Sequence, residues 1–278
     1  MEPNVQVYWL PKEGYTAEEY EDAYGCDEES GLYAVADGAT ESSFAEIWSA
    51  VLTRQFVLAP PDGSPPSSDT LRDWVFPLQQ EWHANIGWGN LPWYAEEKAR
   101  KGAFATFLGM RFGGNGGSVQ GKSFEDSSVM DKIFFMFKKQ DGGGNTEGGA
   151  NVWEAITIGD SNMYQIRNND LLRSWPIEKA VDFDSRPLLL SSNPKFNDDS
   201  VWEAFKYVRG DYQKGDLFIL ATDAIAKWFL DSYEKGKKPW NTLKSIKDDS
   251  EYRDFVGKLR KSKQMRNDDT TYVMLDWK

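Results

Sequence analysis

Residues 21–39 read EDAYGCDEESGLYAVADGA. The apolar run GLYAVA at 31–36 has the composition of a buried strand, and Asp37-Gly38 closes it at a tight turn. Glu21-Asp22 follows Tyr20 at the other end of the stretch. One short segment therefore brackets an apolar strand with carboxylates.

The same punctuation recurs outward along the chain. Asp160 follows AITIG, Asp223 follows LFILAT, and Asp268-Asp269 precedes TTYVML. A lone aspartate at a strand end is ordinarily a turn former or a helix cap. As a set they mean more, because strand ends in a layered sheet can converge on one edge. Carboxylates crowded there repel one another unless cations neutralise them. Oxygen-only ligation suits Mg²⁺ or Mn²⁺. A nitrogen- or sulfur-rich zinc site is excluded, since His83 and Cys26 are the only histidine and cysteine.

Between these points, residues 5–10 read as a short strand. Ser42 or Ser43 is placed to cap a helix whose apolar stripe runs through Phe44, Ile47, Trp48, Val51, Leu52 and Phe56. Helices are expected at 71–85, with Pro77 kinking it or marking its true start, and at 92–101. Strands are expected at 103–112, 151–158, 163–167, 202–208, 217–220 and 270–277. Residues 188–197 read as turn-like, and further helices fall at 223–233, 243–248 and 252–262. The glycine-rich stretch 113–150 reads as an insertion, with GGNGG at 113–117 and GGG at 142–144. The irregular alternation points to layered, largely antiparallel structure rather than a wound parallel sheet. No GxGxxG follows a strand and no GxxxxGK[ST] is present, so dinucleotide and P-loop sites are unsupported.

The bulk composition agrees with a globular chain: 278 residues, 40% hydrophobic and 27% charged. The net charge of −12 argues against nucleic acid and anionic membranes as partners. A single cysteine allows no intramolecular disulfide, and no signal peptide or membrane-spanning run is read. A cytoplasmic location is expected.

Taken in order, these segments resemble the metal-dependent protein phosphatase (2C-type) family. EDAYGCDEESGLYAVADGA resembles its opening motif, GAFAT at 102–106 its small-residue and Thr strand, and TIGDSNMYQIRNNDLL its GDSR segment and hairpin. GDLFILATDAI resembles the strand ending in Thr-Asp-Gly, and NDDTTYVML the closing Asp-Asn-x-Thr strand. The resemblance runs over residues 21–275 and implies one catalytic domain spanning 1–278. The implied fold is α+β, a four-layer αββα sandwich of two antiparallel sheets flanked by helices. It also implies catalytic roles for Asp37, Asp223 and Asp268 around two Mn²⁺ or Mg²⁺ ions that activate a water. Asp37 would bridge the ions, the Gly38 carbonyl would ligate the second, and Asp223 and Asp268 the first. Glu21 would reach the second ion, or Asp22 would order its waters. Asp160, with Asp223, matches a third and weaker site. Asp269 stands in place of the family's Asn, and would take the role of Asp268 if the register shifts by one. The implied partners are a protein carrying phosphoserine or phosphothreonine, and a Ser/Thr kinase opposing the reaction.

The chain also departs from the family pattern. Ala39 follows Asp-Gly where eukaryotic members carry a histidine. Ala17 stands where an arginine grips phosphate, with Lys12, Arg167 and Arg186 as the alternative cations. Asn162 stands where Arg is common, and Ala224 replaces a glycine. His83 matches no motif and is expected on a surface or packed helix face. These departures set two readings beside active phosphatase: a phosphoprotein-binding module without turnover, and a phosphatase for a small metabolite.

Overall fold

The computed structural model describes residues 2–114, 151–183 and 186–278. The expected insertion at 113–150 lies, from residue 115 on, outside them.

Two five-stranded antiparallel sheets face one another. The first runs in the order β1 (Asn4–Leu10), β12 (Thr270–Asp276), β11 (Leu217–Ala221), β7 (Asn162–Arg167), β8 (Asp170–Trp175). The second runs β10 (Lys206–Asp211), β6 (Asn151–Ile158), β5 (Phe107–Gly114), β3 (Leu32–Ala36), β2 (Ala23–Asp27). A short pair, β4 (Phe104–Ala105) with β9 (Leu190–Ser191), lies beside them. Helices α1 (Ala45–Leu58) and α2 (Ser68–Ala84) cover the second sheet. Helices α5 (Asp223–Glu234), α6 (Pro239–Ser245) and α7 (Asp249–Lys261) cover the first. The short helices α3 (Trp93–Ala99) and α4 (Asp199–Glu203) complete the set among the described residues. The expected αββα sandwich is the observed one.

Strand alternation explains the layering. In β3, Tyr33 and Val35 point between the sheets, where they join Leu108, Met110, Phe218, Leu220, Val273 and Leu275. Leu32, Ala34 and Ala36 point the other way, onto Trp48, Leu52, Phe56 and Val75. Both faces are covered, so the strand is apolar at every position and fully buried. β11 and β12 behave alike: Ile219, Tyr272 and Met274 meet Ile225, Phe229, Leu243, Tyr252 and Val256 of the outer helices. Each fully buried large apolar side chain contributes about 1.5–3 kcal/mol by leaving water.

Local departures from the sequence expectations have physical causes. Neither Ser42 nor Ser43 caps α1; Phe44 does, in the left-handed region at φ 61°, with its carbonyl accepting from the Trp82 indole at 3.1 Å. Pro77 lies inside α2, which starts at Ser68 under the Ser67 cap. The buried stripe of Leu71, Val75, Leu78 and Trp82 holds that helix across the proline. The strand expected at 103–112 divides into β4 and β5 at Thr106. The one expected at 202–208 begins later: Trp202 belongs to α4, capped by the Asp198 side chain, and the strand is Lys206–Asp211.

Candidate functional site

Strand pairing gathers the acidic residues at one edge of the sandwich. Leu10 pairs with Thr270, Ala23 with Ala36, Ala221 with both Tyr272 and Asn162, and Phe107 with Ile158. The residues just beyond these ends are Lys12, Asp22, Asp37, Asp160, Asp223, Asp268 and Asp269. The order of pairing, rather than any one turn, brings them together.

Asp37 is at the centre of the electrostatics. Burial pushes its carboxyl well above the usual carboxylate range, and the nearby charges of Asp268, Asp160 and Asp269 push it further, with Arg266 opposing. Its backbone is clamped to Thr106, between β4 and β5: the Asp37 N–H donates to Thr106 Oγ1 at 3.2 Å, and its carbonyl accepts from Thr106 N at 2.9 Å. Gly38 N–H donates to the Glu21 carbonyl at 3.2 Å. A Cβ at Gly38 would stand 2.6 Å from that carbonyl oxygen and 2.9 Å from the Ala45 methyl, so a side chain there would force the two segments apart.

Asp22 is buried, and its carboxyl is raised by burial, then by Asp37 and Asp269. Its Oδ2 accepts from the hydroxyls of Thr222, at 2.9 Å, and Thr271, at 2.7 Å. Its Oδ1 has no hydrogen-bond partner. Asp223 opens α5 and is also buried; its Oδ1 has none either, while its Oδ2 pairs with Arg266. Asp160 is buried beside Gly159, whose φ of +94° makes the turn that sets it at the edge.

The adjacent aspartates Asp268 and Asp269 divide the work. Asp269 accepts from the backbone N–H groups of Lys12, at 2.8 Å, and Glu21, at 2.7 Å, and so ties three segments together. Asp268 faces the cluster, where Arg266 Nη2 lies 2.9 Å from its Oδ2. The Glu21 side chain meets Lys12 Nζ at 2.6 Å and accepts from Thr40 Oγ1 at 2.7 Å.

Of the alternative cations, Lys12 reaches this edge. Arg167 does not: it is bound to Asp211 and Asp216 at the opposite end of β7. Arg266 is the residue that sequence reasoning did not single out. Its position two residues before Asp268 was the available signal. Asn162 is structural: its amide donates to Ser174 Oγ and the Ile177 carbonyl, and accepts from Ile177 N at 2.8 Å. His83 is exposed and packs on the Trp88 ring, 4.7 Å between centroids.

The donor chemistry fits hard divalent cations. The cluster offers carboxylate oxygens, two of them buried without partners, and burial followed by mutual repulsion holds carboxyls above their usual range. Among the described residues no three His, Cys, Asp or Glu side chains form a ready metal cage. Instead one guanidinium spans Asp223 and Asp268.

No family model matches the sequence, and no curated protein matches it. Solved structures do. The serine/threonine phosphatase PstP/Ppp of Mycobacterium tuberculosis aligns with a TM-score of 0.55 at 14% identity, over 100% of each chain. The catalytic domain of PstP in complex with two manganese ions aligns at 0.51 and 14% identity, over 98% of this chain and 97% of that one. PppA, a key regulatory component of T6SS in Pseudomonas aeruginosa, aligns at 0.51 and 15% identity, over 99% and 98%. The likeness is one of fold: this chain has the fold of these solved structures.

Proposed function

We propose that this chain is a metal-dependent phosphatase that hydrolyses phosphoserine or phosphothreonine esters in a protein, within one catalytic domain. The observation that carries this reading is the convergence of buried, mutually repelling aspartates at the sandwich edge. In it, Asp37, Asp223 and Asp268 would hold Mn²⁺ or Mg²⁺, with the Gly38 carbonyl and Glu21 toward a second ion and Asp160 toward a third. When bound, such ions would activate water and screen the phosphoryl oxygens.

The surrounding residues keep this arrangement in place. Thr222 and Thr271 fix one oxygen of Asp22, leaving the other available. Asp269 is committed to backbone N–H groups, which favours Asp268 as the ligand of the pair. Lys12, held between Glu21 and Thr40, would be the cation that meets phosphate where Ala17 stands in place of the family's arginine. A groove of about 670 Å³ runs from Lys12 and Tyr15 to Arg253 and Lys258 on α7. Cationic and acidic side chains both line it, Glu13, Asp249 and Asp254 among them, and none of the clustered aspartates does. A phosphoprotein substrate implies a kinase acting against this enzyme. Among the described residues no helix is long and apolar enough to cross a membrane.

A second reading, phosphoprotein binding without turnover, draws on the pairing of Arg266 with two proposed ligands. Hydrolysis of p-nitrophenyl phosphate and a phosphothreonine peptide, in Mn²⁺, Mg²⁺ or EDTA, separates the two. Mn²⁺-dependent turnover is expected, reduced by about 10³-fold or more in Asp37→Ala and Asp223→Ala, since metal assistance is worth several kcal/mol. Folded protein without turnover under either metal would turn the assignment to the binding module.

A further inference from the structure

Arg266 is the cation that meets two of the proposed ligands at the aspartate edge. Its guanidinium pairs with Oδ2 of Asp223 and lies 2.9 Å from Oδ2 of Asp268. Asp223 is buried and Asp268 is partly exposed, and the Arg266 side chain is itself 48% exposed. Its positive charge also opposes the rise in the Asp37 carboxyl. The contacts therefore join one half-solvated cation to the two carboxylates proposed to hold the first divalent ion.

Two contrasts define its role. Arg167, the structural arginine of the same sheet, is 21% exposed and donates through both Nε and Nη2 to the fully buried Asp216. Lys12, the other cation at the edge, is 7% exposed and fixed by Glu21 and Thr40. Arg266 is the more exposed of the three, and both its partners are acceptors that a divalent ion would need. An arginine cannot give up its proton to clear the way. A divalent ion taking Oδ2 of Asp223 and Asp268 displaces the guanidinium outward, where the side chain has solvent to move into, and one taking the unpartnered Oδ1 of Asp223 still meets the repulsion of that charge on the same carboxylate.

We infer that Arg266 is a built-in competitor for the first divalent cation: it neutralises Asp223 and Asp268 when the ion is absent, and its displacement sets the ion concentration at which the site fills. This rests on the metal-dependent reading above. In the metal-free chain the arginine relieves repulsion among Asp37, Asp223 and Asp268. In the loaded chain its removal from those oxygens costs binding free energy, so the site is weaker for metal than its carboxylates alone would make it.

Calorimetric titration of the full chain with Mn²⁺, beside Arg266→Ala and Arg266→Lys, tests this, with thermal melting of each in EDTA. Arg266→Ala should bind Mn²⁺ about tenfold more tightly and melt at a lower temperature than wild type in EDTA, because losing an opposing ion pair strengthens binding while its absence exposes repulsion. Arg266→Lys, which keeps one charge without the fork, should fall between them on both measures. Equal or weaker Mn²⁺ binding by a folded Arg266→Ala overturns the inference, and if that variant does not fold, equal or weaker binding by Arg266→Lys does so. Absence of Mn²⁺ binding by wild type and variants alike overturns the inference together with the metal-dependent reading on which it rests.

Discussion

Strand β11 has a buried aspartate just outside each end, and the two are treated in opposite ways. Before the strand, Asp216 is fully buried and fully answered: Arg167 Nε at 2.8 Å on one oxygen, and Arg167 Nη2 at 2.8 Å, Gln165 at 2.9 Å and the Gln213 N–H at 3.2 Å on the other. After the strand, Asp223 keeps one oxygen without a partner and shares the Arg266 guanidinium with Asp268. A carboxylate whose job is to hold the fold receives its hydrogen bonds from the chain itself. Carboxylates left crowded and short of donors store an electrostatic cost, and such sites are where function concentrates. The same strand thus carries a structural acid and a candidate ligand, told apart by the donors around them.

Removing the arginine at the structural end should have the largest effect on stability. Arg167→Ala leaves Asp216 buried without its counter-charge and should cost about 3–5 kcal/mol. For a chain of this size that is a fall of roughly 10 °C in melting temperature. The folded variant should retain the Mn²⁺ response of the other end; a Mn²⁺ response lost with the melting temperature unchanged would show that the two ends are not separate.

Titration should distinguish the ends next. In the metal-free chain Asp22 and Asp37 are raised, so the folded form holds protons that the unfolded form has released. Their contribution is then least costly below the ordinary aspartate value of about 3.9, and stability is lost as pH rises through the folded-state values. Asp211 goes the other way: its bond to Arg167 lowers its carboxyl, so its contribution is present at neutral pH and lost as pH falls through the lowered value. Carboxyl ¹³C titration in EDTA should find Asp37 above, and Asp211 below, the unfolded reference. Asp37 titrating at or below that reference would remove the contrast.

The smallest effect is expected away from both ends. His83 is exposed and packs against the Trp88 ring. Its replacement by alanine should change stability by less than about 0.5 kcal/mol, measured by urea unfolding, and leave hydrolysis unchanged. A large loss of turnover would place a proton-transfer group outside the aspartate edge.

Much of this was legible in residue order. GLYAVA, LFILAT and TTYVML mark strands because a sandwich covered by helices on both outer faces buries both sides of each central strand. The carboxylates at their ends are legible for the same reason, since a strand must end in a turn and turns tolerate aspartate. Less legible were the features that depend on a distant partner. The start of α1 at Phe44 is set by an indole from α2, and Trp202 joins a helix because Asp198 caps it. Nothing in the pair Asp268-Asp269 says which one faces the cluster; the backbone N–H groups of Lys12 and Glu21 decide it.

What the amino-acid order determined by itself is the set of strands, their apolar faces and the oxygen-rich punctuation between them, because these follow from periodicity and turn chemistry within a few residues. Tertiary structure alone decided which acids share an edge, which is answered by Arg167, and which is met by the half-exposed Arg266. Charge interactions act across space, and only the antiparallel register of β11, β12 and β3 with their neighbours brings residues this far apart in sequence within reach of one another.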